Sequence, residues 1–178
     1  MVRPPSSGGS ASCLAPASAR RVTSATITQS HDPLLGKAQW GNVHYYDMDS
    51  ERRAYMWVDT MVASKKMRVF NTHLDHQSSS LRASQVQELV KDARRHKPSI
   101  AFGDFNAEPM TREMRPMWNW FRDADPNCRP GPTLGCQTTS HDNKKLDYIF
   151  LRGFRPPGAT VYFHPASDHR AVIADLTP

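Results

Sequence analysis

No run of apolar residues in this sequence approaches the roughly 20 that span a bilayer, which excludes a transmembrane helix. Cysteine is scarce: Cys13, Cys128 and Cys136 form no CxxC pair and no Cys/His spacing of the zinc-finger kind, so cysteine chemistry is not the theme. Cys128 and Cys136 flank a Pro/Gly loop and could approach each other, although thiols that stay reduced are the commoner outcome inside cells. Acidic residues are missing from residues 1–31, where Arg3, Arg20 and Arg21 stand among many Ser, Ala, Pro and Thr. Such a composition does not build a core. It is compatible with an organelle transit peptide, with a disordered tail and with an artefactual gene start. The lack of a continuous apolar segment argues against a secretory signal. The compartment stays unknown, with an organelle as one candidate for a soluble chain.

The 178 residues have the length of one domain. The expected division is a leader over 1–39 and a folded part over 40–178. A formal charge of +6 and a pI near 9.5 favour a polyanionic partner, since neutralising phosphates releases counterions. A soluble surface with surplus Lys and Arg gives the same numbers.

From Trp40 onward the character changes. Residues 55–62 and 67–74 read as β-rich runs joined through Ser64, Lys65 and Lys66, the pattern of a hairpin. Ser79 or Ser80 can cap a helix whose apolar positions Val86, Leu89, Val90 and Ala93 follow helical spacing, with Pro98 beyond its end. The cluster Arg94, Arg95, His96 and Lys97 then complements the helix dipole, a reading preferred to a nucleic-acid patch. Residues 99–102 read as a buried strand stopped by Gly103, and 111–121 as a helical stretch interrupted by Pro116. There Trp118, Trp120 and Phe121 are read as core packing rather than as base-stacking groups. The irregular segment 125–143 is of the kind that borders binding sites. Residues 146–151, 159–163 and 171–176 complete the strand candidates.

Chemistry concentrates in the second half. In Asn71-Thr72-His73-Leu74-Asp75, strand alternation puts Asn71, His73 and Asp75 on one face. In Gly103-Asp104-Phe105-Asn106, Phe105 can point into the core while Asp104 and Asn106 share the opposite side. A carboxylate there can take a proton from water, and an amide can donate to a developing oxyanion. The plainer reading of that segment is an Asx turn ending a strand. Asp147 lies near the start of an apolar strand, where an unpaired charge would be costly. Asp168 and His169 adjoin at a strand entrance and so need separate partners. Asp147 is a plausible orienter of His169, and Asp168 a plausible cation ligand.

In this order the segments resemble the endonuclease/exonuclease/phosphatase superfamily of deoxyribonuclease-like metal-dependent phosphoesterases. The resemblance implies an α/β sandwich of two packed, mainly antiparallel sheets flanked by helices. It also implies hydrolysis of a phosphoester, notably a phosphodiester as in nucleases, by water attack on phosphorus. By the same resemblance His73 contacts the scissile phosphate and Asp104 activates the water. Asn106 stabilises the phosphorane-like transition state, and His169 is the second imidazole, polarised by Asp147. Asp168 lies near the metal, and oxygen ligands without thiolates suit Mg²⁺ or Mn²⁺. The partners implied are a phosphoester substrate and, as one candidate, nucleic acid.

The family pattern also opens with a strand bearing a metal-side Asn and a second ending in a Gln-Glu pair. Neither motif is visible, no Glu precedes Trp40, and Glu51 lies in a polar stretch rather than at the end of an apolar run. The chain therefore reads as the later part of the domain, lacking its amino-terminal strands, and is expected to be a weak and poorly stable catalyst as it stands. Two other functions stay open. One is a non-catalytic homologue that binds a phosphorylated ligand or partner. The other is a phosphoesterase for phospholipid or inositol phosphate head groups.

Overall fold

Alternating side chains on three neighbouring strands decide which groups face the helices and which face the opposite layer. A computed structural model describes residues 39–44, 53–62, 65–130 and 135–176, the first of these and Val62 for their backbone alone. The expected leader up to residue 38, the polar stretch around Glu51 and Ser64 of the hairpin turn lie outside the described residues.

Strand β1 (Gln39–His44) pairs antiparallel with β2 (Ala54–Val62), and β2 with β3 (Lys65–His73), so the expected hairpin forms. Helix α1 (Ser79–Ala93) then carries the chain across to β4 (Ser99–Asp104), which lies parallel to β3. A parallel pair needs such a crossover. Helix α2 (Arg115–Trp120) precedes the short β5 (Arg122–Asp123) and β6 (Asp147–Arg152), which runs antiparallel to β4 and to β5. The six-stranded sheet has the order β1-β2-β3-β4-β6-β5. Strands β7 (Thr160–Tyr162) and β8 (Ala171–Ile173) form a separate antiparallel pair. This is the expected α/β sandwich, mainly antiparallel except at the β3–β4 contact. Strands β1 and β5 add to the expected set. No helix of the described residues is long and apolar enough to cross a membrane.

The two faces of the large sheet separate by sequence parity. Phe70, Ala101, Tyr148 and Phe150 pack with Val86, Leu89, Val90 and Ala93 of α1 and with Met117 and Trp118 of α2. Met67, Ile100 and Leu151 form a second cluster on the other face with Val69, Phe102 and Ile149. Ala159, Ala174 and Leu176, which flank the β7–β8 pair, close over it.

Local details depart from the expected pattern in instructive ways. Ser78, not Ser79 or Ser80, caps α1, its Oγ accepting from the Leu81 amide at 3.3 Å. The reason is Asp75, whose carboxylate accepts from the amides of Gln77 at 2.8 Å and Ser78 at 2.6 Å, holding Ser78 extended so that the helix starts after it. Asp75 therefore serves a turn instead of sharing a strand face with Asn71 and His73. Gly103 does not stop β4. It lies within the strand at φ +133°, where an added Cβ would sit 1.9 Å from the Thr72 carbonyl oxygen, so only glycine lets the two backbones approach this closely. Pro116 starts α2 rather than interrupting it, following a 3-10 turn over Arg112–Met114. The expectation of reduced thiols is also corrected, because Cys128 and Cys136 are joined by a disulfide. Asp125 brings the loop back on itself, its carboxylate accepting from the amides of Asn127 at 3.0 Å and Gln137 at 3.4 Å.

A candidate active site on the sheet rim

The ladder places three of the expected residues side by side. His73 is the register partner of Asp104, and Asp104 that of Asp147, so the ends of β3 and β4 and the start of β6 meet at one rim. Counting back along each strand, these side chains share the face of Val69, Phe102 and Ile149, away from the helices. His169 arrives from the segment between β7 and β8, which bridges to Ser140.

His169 Nδ1 lies 2.8 Å from Asp147 Oδ2, so the ring donates to the carboxylate and leaves Nε2 facing Asp104 Oδ2 at 3.9 Å. Burial alone would lower the pKa of His169. The carboxylates of Asp147, Asp104 and Asp168 outweigh it and raise the imidazole above its usual range. Asp147 is raised as well, chiefly by burial, against the opposing hydrogen bonds and charges around it.

Asp104 is buried, and burial together with the Asp147 charge raises its carboxyl. Its Oδ2 lies 3.4 Å from His73 Nε2, and its Oδ1 accepts from the Asn106 amide at 2.8 Å. The Asx turn anticipated as the plainer reading is therefore present. Asn106, at φ +48°, directs its side-chain nitrogen to the Leu74 carbonyl at 3.1 Å. That bond uses one of the two amide protons and leaves the other for a ligand.

Asp168 stands apart. It is exposed, its backbone carbonyl accepts from the His141 amide at 3.0 Å, and its carboxylate makes no hydrogen bond or ion pair among the described residues. Ligand atoms of Asp104, Asp147 and His169 lie within 4.8 Å of one another, close enough to suggest a metal cluster. Asp147 Oδ2 and His169 Nδ1 are already bonded to each other there, however. An open carboxylate beside an imidazole that faces a buried acid suits a hard divalent ion better, because such ions take one or two carboxylates and draw their remaining ligands from water and phosphate. The donor set fits a hard divalent cation in that manner.

Support comes from a residue that no motif flagged. Buried Thr139 accepts through its Oγ1 from the amides of Leu146 and Asp147, both at 2.9 Å, and so fixes the start of β6. Arg170 ties the same loop to the His169 segment: its amide donates to the Thr139 carbonyl at 2.7 Å and its guanidinium to Thr138 and Asn143. Only the length and irregularity of 125–143 hinted at such a role.

A family model described as Endonuclease/Exonuclease/phosphatase family matches residues 14–169, beginning within the expected leader. Among solved structures, an endonuclease/exonuclease/phosphatase from Bacteroides vulgatus is 19% identical with a TM-score of 0.63, over 78% of this chain and 64% of its own. Truncated Caenorhabditis elegans TDP2 is 17% identical with a TM-score of 0.61, over 79% and 65%. A mannosyl-6-phosphatase of Bacteroides thetaiotaomicron VPI-5482 is 20% identical with a TM-score of 0.57, over 78% and 66%. The chain thus spans just under two thirds of each of these neighbours, and at such identities the likeness carries the fold. No curated protein matches the sequence.

Proposed function

The chain belongs to the endonuclease/exonuclease/phosphatase family, and from that premise we propose that its rim hydrolyses a phosphodiester by attack of water on phosphorus with a divalent cation present. The observation that carries this reading is the row of His73, Asp104 and Asp147 across three strands, with His169 held over it by Asp147.

Asp104 is the base. Burial raises its carboxyl toward the range in which a carboxylate can accept a proton from water. The water oxygen bonds to phosphorus as its proton passes to Asp104, and the bond from phosphorus to the leaving oxygen breaks. His73 and His169 border Asp104 and donate to the non-bridging phosphoryl oxygens. The remaining amide proton of Asn106 serves the charge that develops in the transition state. Asp147 accepts from Nδ1 of His169 and, with the other carboxylates around the ring, favours its imidazolium form, which also carries a donor at Nε2. Asp168 would hold the cation, which when bound supplies neutralisation of the phosphoryl charge. The net charge of +6 supports a polyanionic substrate and hence a nuclease-like reading over one built on small head groups.

The test is a panel of DNA, RNA, sphingomyelin and inositol phosphates incubated with the full chain and Mg²⁺ or Mn²⁺. The expected result is cleavage of a phosphodiester that stops with EDTA and in His169→Ala. Binding without turnover of every substrate would overturn the proposal in favour of a non-catalytic homologue.

A further inference from the structure

The end of β6 opposite the rim gathers positive charge that the proposed chemistry does not use. Arg152, the last residue of β6, donates through Nη1 to the His96 carbonyl at 2.8 Å. Arg122 on β5 donates to the carbonyls of Trp118 at 2.9 Å and Phe121 at 2.8 Å. Lys97 borders the same corner, its Cγ 3.1 Å from where a Cβ on Gly153 would sit. Trp120 closes α2 here and is 42% exposed, while its neighbours Trp118 and Phe121 are buried. The guanidinium carbons of Arg94 and Arg152 lie 5.4 and 5.5 Å from its ring centroid.

The helix dipole accounts for part of this cluster, since Arg94 ends α1. A helix terminus, however, carries about half a charge, and Arg152 belongs to a strand. Among the described residues Arg94, Lys97, Arg122 and Arg152 form no ion pair with any carboxylate. The acid nearby, Asp92, is engaged by His96 at 3.5 Å and by the Tyr55 hydroxyl at 3.3 Å. What remains is an exposed indole set among cations that no acid pairs among the described residues.

We propose that this corner binds single-stranded nucleic acid, with Arg94, Lys97 and Arg152 on backbone phosphates and Trp120 stacking an unpaired base. The cations alone would suit any polyanion. With two guanidiniums already over the ring, a base would stack on the exposed part of the indole, and that contact is what selects a strand whose base faces are free. Arg152 lies five steps along β6 from Asp147 and, by strand parity, on the helix-bearing face opposite the rim, so the corner is a site separate from the proposed chemistry. Binding here does not depend on turnover at the rim, so it can be read without a divalent cation and separately from the proposed hydrolysis.

The experiment measures fluorescence anisotropy of a labelled oligothymidylate of about 12 nucleotides. A duplex of the same length and phosphatidylserine vesicles serve as comparators, all in EDTA. Trp120→Ala should weaken the single strand about tenfold while leaving the duplex unchanged. Arg94→Ala should reduce the slope of log affinity against log salt by about 0.7 to 1. Among the described residues the Arg94 side chain makes no hydrogen bond, and its contact with Trp120 lies at the surface, so its loss should cost the fold little. Unchanged binding in both variants would overturn the proposal, as would equal affinity for duplex or vesicles. So would loss of binding in His169→Ala but not in Trp120→Ala, which would assign the strand to the rim.

Discussion

His169 and Asp147 are bonded at 2.8 Å across 22 residues of sequence, and the partner of Asp147 in the ladder is the buried acid Asp104. The imidazole therefore sits among carboxylates that raise its pKa against a burial that would lower it. In Asp147→Asn the largest of the raising groups is gone, so the pKa of His169 should fall. An NMR titration of the ring checks this, and a midpoint unchanged from wild type would rule out Asp147 as the group that holds the proton on His169.

Loss of the ring itself is the sharper kinetic test. His169→Ala should reduce turnover on the best phosphodiester by about 10² to 10⁴-fold, the span usual for acid-base and charge-stabilising groups. Folding should change little, since the side chain is 29% exposed at a rim. Near-normal turnover in this variant would remove His169 from the proposed chemistry.

Gly103→Ala should be severely destabilising, on the order of 4 kcal/mol, because a Cβ at this positive φ collides with strand backbone rather than with a movable side chain. Chemical denaturation reads the loss directly. A shift under about 1 kcal/mol would mean that β3 and β4 can separate without cost at the point where they carry His73 and Asp104.

A second buried acid gives a pH dependence with a defined sign. Asp123 lies 3.6 Å from the buried Lys145, and burial pushes its carboxyl up to about 6. With the folded value above the unfolded one, this group's stabilising contribution is fully present below about pH 3.8 and is lost as the pH rises through about 6. The integrated change is about 3 kcal/mol. Asp123→Asn cannot titrate, so its unfolding free energy should lack that decline relative to wild type. Urea unfolding across the interval measures the difference, and parallel curves for the two proteins would refute it.

The positions of His73, Asp104 and Asp147 were legible because each sits in a short apolar run whose period of two assigns a face. Their common row was not, since register depends on pairing between strands distant in sequence. Asp168 and His169 could be seen to need different partners, yet only the fold shows Asp147 at one and open solvent at the other. Thr139 lay hidden in a segment without periodicity, and the Asp123–Lys145 contact bridges two elements that share no motif. The position of Gly103 at the end of an apolar run suggests a strand terminator, whereas its lack of a side chain serves the neighbouring backbone. Trp118 and Trp120 could not be separated by pattern, because α2 has only six residues, too few to define an inner face.

β3 and β4 end at the rim while β6 begins there, so the connections that leave His73 and Asp104 and the one that enters Asp147 all open on the same side. Lengthening or exchanging those connections would reshape what can dock without displacing a strand. A lineage carrying this arrangement could therefore trade one substrate for another through loop turnover while inheriting His73, Asp104 and Asp147 unchanged, and divergence among relatives should concentrate in residues 74–78, 105–111 and 124–146, Asn106 and Thr139 apart, far more than in the ladder itself.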